Sequence, residues 1–261
     1  MDVVIIAVVA ALASALTLYS GFGLGTLLLP AFALFLPVPV AVAATAVVHL
    51  TNNLFKGGLL WRRADWPTAL RVGLPAVPAA IFGAWLLARL GDTSRLFEWS
   101  VGGRSFGPTG AGLVVGLLLL AFAVLELMPW FQKLSAPKRW MPVGGLITGF
   151  FGGLTGQQGA LRSIFLLRSG LDAQKFIATG VMIAVMVDVS RIAAYARSLS
   201  SGLLDPHSRQ ALLAAVGTLA AAAGALLATR YMNKVTIGSV RYLVAGLMAL
   251  IGAAIVAGIV G

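Results

Sequence analysis

Long stretches with almost no charge recur along the chain, at residues 3–36, 38–55, 69–88, 110–125, 142–161, 174–187, 210–229 and 242–261, with Arg71 and Lys175 as the exceptions. A helix that crosses a hydrocarbon core of about 30 Å needs about 20 mostly apolar residues. This recurrence therefore specifies an all-α integral membrane protein of several spans. With 59% hydrophobic and 10% charged residues, a 261-residue chain also lacks the polar surface to cover a soluble globule. The net charge of +11 could point to nucleic acid, but its Lys and Arg are dispersed among short inter-helix segments. That placement orients a chain against an anionic leaflet, so nucleic acid is not expected as a partner. The start, Met1-Asp2-Val3-Val4, lacks the basic region of a cleaved secretory signal, so the first segment is expected to be retained in a multi-pass protein of the cell inner (plasma) membrane. The chain has no Cys, which removes disulfides, thiol catalysis and thiolate metal sites. His49 and His207 form no metal-ligand pair at helical spacing, and no two acids share a span. An enzyme is not expected, nor a metal or cofactor. Without an ATP-binding motif, any pumping must draw on a gradient.

The chain reads as two copies of one unit. When Gly25 is set opposite Gly159, Ala44-Thr45 falls opposite Ala178-Thr179 in the same register. Further on, Gly83 to Arg89 matches Gly224 to Arg230, and Gly116-Leu117 matches Gly246-Leu247, with the length changes falling in polar loops. The expected division is a first repeat over 1–129, an inter-repeat loop over 130–141 and a second repeat over 142–261, together one membrane domain. Each copy opens with a hydrophobic segment broken by glycine, through Ser20 to Gly25 in the first and Gly152 to Gly159 in the second, followed by three full helices. At about 1.5 Å per residue each second-copy arm reaches about 15 Å, half the membrane, so the arms should meet near the midplane. If the broken segments span, the copies lie parallel. If they are re-entrant, the copies are inverted repeats. Inversion brings Arg168, Lys175, Arg230, Lys234 and Arg241 to the inside and moves Arg197 and Arg209 out, a more one-sided charge distribution that the positive-inside rule favours.

A helix that begins inside the membrane aims free N–H groups and a partial positive charge at whatever lies beyond it, which makes an anion site. Gly23, Gly25 and Gly159 let an anion approach that backbone, although glycine equally permits close helix packing. Gln157 and Gln158 stand in the second break. Arg162, in the first turn beyond Gly159, offers a forked donor for an oxyanion. Thr45, His49, Asn52, Asn53 and Lys56 form one polar stripe on an apolar helix, suited to line a wet interior. His49 is a candidate to couple a proton to the cycle, though a lone His is more often structural. Asp188, Arg191 and Tyr195 share a helix face, while Thr179, nine residues before Asp188, points elsewhere. Asp188 is either the internal partner of Arg191 or the counter-ion of an empty Arg162.

The glycine-rich break ending in Pro30, the Ala44-Thr45 pair, the basic turn Trp61-Arg62-Arg63-Ala64-Asp65-Trp66 and their second-copy echoes resemble the sulfite exporter TauE/SafE family. The most specific stretches run from Gly156 to Ser163, from Phe176 to Gly180 and from Asp188 to Arg191, and the resemblance covers nearly the whole chain. The chain departs from the family's pattern at Gln157-Gln158, where a run of glycines is common. The resemblance implies a transporter of sulfite, organosulfonates or related small anions. The expected function is a secondary transporter, an exporter, that binds its anion at the midplane between the repeats, with the bilayer and a coupling proton or cation as further partners. The competing readings are a non-transporting membrane scaffold and a carrier or channel for an unrelated solute.

Overall fold

The computed structural model describes residues 1–20, 24–198, 205, 207–231 and 237–261, with side chains in all of these except 17–20, 197–198, 228–231 and 237–240. Helix α1 (Asp2–Ser20) carries Asp2 in its first turn, where a carboxylate suits the free N–H groups. The half-length α2 (Leu24–Ala33) is buried along its whole length. Pro37 and Pro39 preset the start of α3 (Val38–Leu60), which ends in the basic turn Trp61–Arg63. Asp65 caps α4 (Trp66–Gly91) by accepting from the Thr68 N–H at 3.0 Å, and this bond holds the Asp65 carboxyl below the usual carboxylate range. Thr109 caps α5 (Gly110–Leu127) in the same way, and a short α6 (Pro129–Gln132) leads into the second half. There α7 (Met141–Thr155) ends on Gly156 at φ +81°, the left-handed position that favours glycine, and α8 (Gly159–Leu166) follows. The long α9 (Ala173–Ser198), α10 (Arg209–Tyr231) and α11 (Ile237–Val256) complete the chain.

Among the described residues five helical stretches are long and apolar enough to cross a membrane: Val38–Arg63, Trp66–Gly91, Gly110–Leu127, Ala173–Ala196 and Arg209–Leu227. Asp2–Leu16 and Arg241–Val256 are shorter apolar helices. One expectation needs correction: the second helix break is shorter than its glycine run suggests, since α7 continues through Gly152 and Gly153 and only Gly156 to Gln158 separate it from α8. The fold is mostly helical, with one short hairpin besides. In the loop after α4, strands β1 (Trp99–Val101) and β2 (Arg104–Phe106) pair antiparallel about Gly102 and Gly103, both at positive φ as a tight hairpin turn requires.

Packing runs along a few long seams. Helix α4 lies along α7, α1 along α10, α5 along α11, and α9 against both α3 and α4. Three glycines four residues apart, Gly145, Gly149 and Gly153, face α4 so closely that a Cβ on each would collide with the carbonyl oxygens of Val72, Ala76 and Ala80. Gly224 of α10 lies over the Ala11 carbonyl of α1, and Gly116 and Gly252 face one another between α5 and α11. Where lipid removes the hydrophobic drive for helix association, such small-residue seams let dispersion and close backbone approach hold helices together. The surface is apolar, with Leu59, Leu219, Leu250 and Ile81 turned outward, while Thr45, His49, Asn52, Asn53, Gln157, Gln158, Asp188 and Arg191 are buried. This polar interior within an apolar exterior suits a lipid solvent.

The loops meet at the two ends. At one end Arg63 Nη1 donates to Gln174 Oε1 at 3.0 Å, the Ala136 N–H donates to the Ile164 carbonyl at 2.9 Å, and Arg241 donates to Gln132. At the other, Arg209 donates to Asp2 Oδ2 at 2.6 Å and Trp99 Nε1 donates to the Ala257 carbonyl at 2.8 Å.

Candidate functional site

Helices α3 and α9 cross the interior side by side. His49 of α3 meets Asp188 of α9, whereas Gly57 of α3 meets Met182, so the two run antiparallel. Their polar residues fall at successive levels along this pair.

At the first level the start of α2 approaches the break between α7 and α8. A Cβ on Gly25 would stand 3.1 Å from the Gly156 carbonyl oxygen and 3.6 Å from the Thr45 Cγ2. Thr45 is fully buried and its hydroxyl has no hydrogen-bond partner. Arg191, with no exposed surface, donates from Nη1 to the Gly152 carbonyl at 3.0 Å, and the Tyr195 hydroxyl donates to the Gly153 carbonyl. The Gly152 carbonyl also accepts the Gly156 N–H that closes α7, and a cation at this end suits the negative end of the helix dipole. Gly23 lies outside the described residues, and Gly159 is the buried first residue of α8.

At the second level Asp188, also with no exposed surface, gathers three hydrogen-bonding side chains and the Arg191 guanidinium from three segments. His49 Nδ1 lies 2.6 Å and Asn53 Nδ2 3.1 Å from Oδ2, while Gln158 Nε2 lies 3.0 Å and Arg191 Nη2 2.8 Å from Oδ1. Desolvating a carboxylate costs several kcal/mol unless partners of this kind surround it. The Gln158 Oε1 and the Gln157 Nε2 are buried without partners.

The third level belongs to Arg162. Its Nε lies 3.3 Å from where a Cβ on Gly180 would stand, and its Nη1 is enclosed without a hydrogen-bond partner. Among the described residues Arg162 makes no ion pair.

Several sequence expectations change here. Asp188 pairs with Arg191 and His49 instead of serving as the counter-ion of Arg162, because the i, i+3 spacing brings Arg191 onto the same face. Thr179 belongs to another place: its hydroxyl accepts the Asp65 N–H at 2.9 Å beside the start of α4. The polar stripe divides, since His49 and Asn53 turn to α9 while Asn52 accepts from Ser14 of α1 at 3.3 Å. The bonds from Gln158 to Asp188 and from Arg191 and Tyr195 to α7 join segments far apart in sequence, so helical spacing could not reveal them. Gly103-Arg104-Ser105-Phe106-Gly107 has the spacing of a hydrolase nucleophile motif, but Ser105 sits within an exposed hairpin opposite Ser100 and not at a strand-to-helix elbow.

A polytopic helical bundle with a buried polar centre and unpartnered donors beside a broken helix defines a membrane transporter for a small polar solute. A family model described as Sulfite exporter TauE/SafE matches residues 6–255, and the chain belongs to that family. Membership identifies a multi-pass membrane transporter of sulfite-like anions. No curated protein matches the chain.

Proposed function

We propose that the protein is a secondary transporter that exports a small oxyanion, sulfite or an organosulfonate, bound at mid-depth between two inverted repeats. The observation that carries this reading is that buried donors without hydrogen-bond partners, among them the Gln157 amide nitrogen, the Arg162 Nη1, the Arg191 Nε and the Thr45 hydroxyl, stand around a carboxylate that Arg191 already neutralises. Buried donors without partners cost about 1–3 kcal/mol each, so their accumulation in one region favours a ligand that satisfies them. The N-terminus of α8 adds its amides to the same anion. His49, in contact with Asp188, is the candidate for proton coupling.

Inversion is supported by how the halves pack. The first arm of each broken hairpin lies along the second long helix of the other half, α1 on α10 and α7 on α4, while α3 with α9 and α5 with α11 are pairs of equivalents. Re-entrance is supported by the Ala136 to Ile164 hydrogen bond, which joins the residues before α7 to the end of α8. The deciding experiment is counterflow of labelled sulfite, sulfate, sulfoacetate and acetate in proteoliposomes. Exchange of sulfite or sulfoacetate that acetate does not compete away supports the reading, and no exchange of any oxyanion overturns it.

A further inference from the structure

We infer that the β1–β2 hairpin after α4 is an interfacial membrane anchor, with one face laid on the lipid headgroups at its end of the bundle and the other turned to water. The inference is independent of the anion site proposed above.

The register of the hairpin sorts its side chains. Trp99 pairs with Phe106, Ser100 with Ser105 and Val101 with Arg104. Successive residues of a strand point to opposite faces, and directly paired residues share a face. One face therefore carries Trp99, Val101, Arg104 and Phe106, and the other carries the two serines. The base of the first face is fixed to the bundle. The rings of Trp99 and Phe106 meet with 4.9 Å between centroids, and Trp99 Nε1 donates to the Ala257 carbonyl just beyond α11 at 2.8 Å. Its tip is bare: Val101 is 63% exposed, and Arg104 is exposed and makes no ion pair among the described residues. Leu96 and Phe97, just before β1, are exposed as well.

The helices set the level at which this tip stands. The 18 residues of α5 from Gly110 to Leu127 rise about 27 Å, close to the thickness of a hydrocarbon core of about 30 Å, so Gly110 stands at its edge and the hairpin just beyond. Trp85, exposed on α4 with the Arg89 guanidinium over its ring, marks the same boundary, where tryptophan collects in membrane proteins. A two-stranded hairpin is marginal in water and gains from a surface that covers its apolar face. It cannot sink into the hydrocarbon, because lipid leaves the free N–H and C=O groups of its edges unsatisfied. The headgroup layer meets both demands, taking Trp99, Val101 and Phe106 on its apolar side and offering phosphate to Arg104. The acids of this loop do not oppose that contact: Glu98 is paired with Arg95 at 3.3 Å, and Asp92 lines a cleft with Pro37, Pro39 and Thr109.

The test uses the full-length chain, which has no cysteine of its own, in two single variants, Ser100→Cys and Val101→Cys. Each is labelled with a nitroxide and reconstituted in bilayers of phosphatidylcholine and phosphatidylglycerol. Both positions are exposed, so neither label asks anything of the fold. Collision of the label with oxygen, which concentrates in lipid, is compared with collision with a water-soluble nickel chelate. Oxygen should prevail at Val101→Cys and nickel at Ser100→Cys, so the logarithm of the ratio changes sign between neighbouring residues. Adding Arg104→Glu should shift the Val101→Cys label toward nickel, because the phosphates then repel the tip. Nickel prevailing at both positions would place the hairpin in water and overturn the inference. A Val101→Cys label that neither reagent reaches would overturn it as well, since protein, as in a contact with a second copy of the chain, would then cover the face. A ratio unmoved by Arg104→Glu would overturn the phosphate contact.

Discussion

Two arginines in the interior have opposite circumstances. Arg191 is ion-paired with Asp188 and donates from Nη1 to the Gly152 carbonyl, although its Nε is enclosed without a hydrogen bond, whereas Arg162 makes no ion pair among the described residues and its enclosed Nη1 has no hydrogen-bond partner. Arg162→Ala should therefore reduce anion uptake at least about tenfold in proteoliposomes without loss of folded protein. Arg162→Lys keeps the charge but loses the planar fork and should bind oxyanions more weakly than the parent. Asp188→Asn is expected to act mainly on stability: removing one partner of a buried ion pair costs about 3–5 kcal/mol, and here it strips a fully buried Arg191 of its counter-charge. The check is a thermal unfolding curve in detergent. An Asp188→Asn protein that unfolds like the parent would show the pair to be dispensable. The spacing of Asp188, Arg191 and Tyr195 on one face was legible in the sequence because it is set by the turn of a single helix. Their targets on α7 and in the break were not, because no local rule relates residues some 30 to 40 positions apart.

At the scale of elements, the glycines that read as the second break, Gly152 to Gly159, turn out to serve two purposes. Gly156 ends α7, while Gly153 joins Gly145 and Gly149 in the seam against α4. Both roles write the same letter, and only the partner helix tells them apart. Gly149→Ala would press a methyl group into the Ala76 backbone and should lower the unfolding temperature by several degrees. Gly246→Ala, where nothing stands within 4 Å of the added Cβ, should leave it unchanged or slightly raise it by its better helix propensity. Equal unfolding temperatures for the two variants would show that the seam tolerates separation. Apolar periodicity located the long helices, because length and lack of charge alone decide what can cross lipid. The short β1–β2 hairpin gave no such signal and lay hidden in a polar loop.

For the whole molecule, the proposed inversion places both ends of the α7–α8 hairpin on the cytoplasmic side. Single cysteines at Ser135 and Asp172, introduced into a chain that has none of its own, should both react with an impermeant reagent from that side. Labelling from opposite sides would make the hairpin a full span and the copies parallel. The seams also differ mechanically. Between α4 and α7 backbone rests on backbone, so these helices form a stiff strut in which nothing can yield by rotating a side chain. Helix α9 instead meets α3 and α4 through methionine, with Met182 against Gly57 and Met186 against Gly73, and an unbranched thioether slides and refolds at little cost. Motion should therefore concentrate where α9 bears on its neighbours, and it has to exchange the bonds of Asp188 to His49 and Asn53 and those of Arg191 and Tyr195 to α7 while the strut stands still. A cross-link between Gly57→Cys and Met182→Cys should arrest transport, and one between Ala80→Cys and Gly153→Cys should leave it running. The molecule would then work like a piston in a rigid sleeve, with sulfur side chains as its bearings.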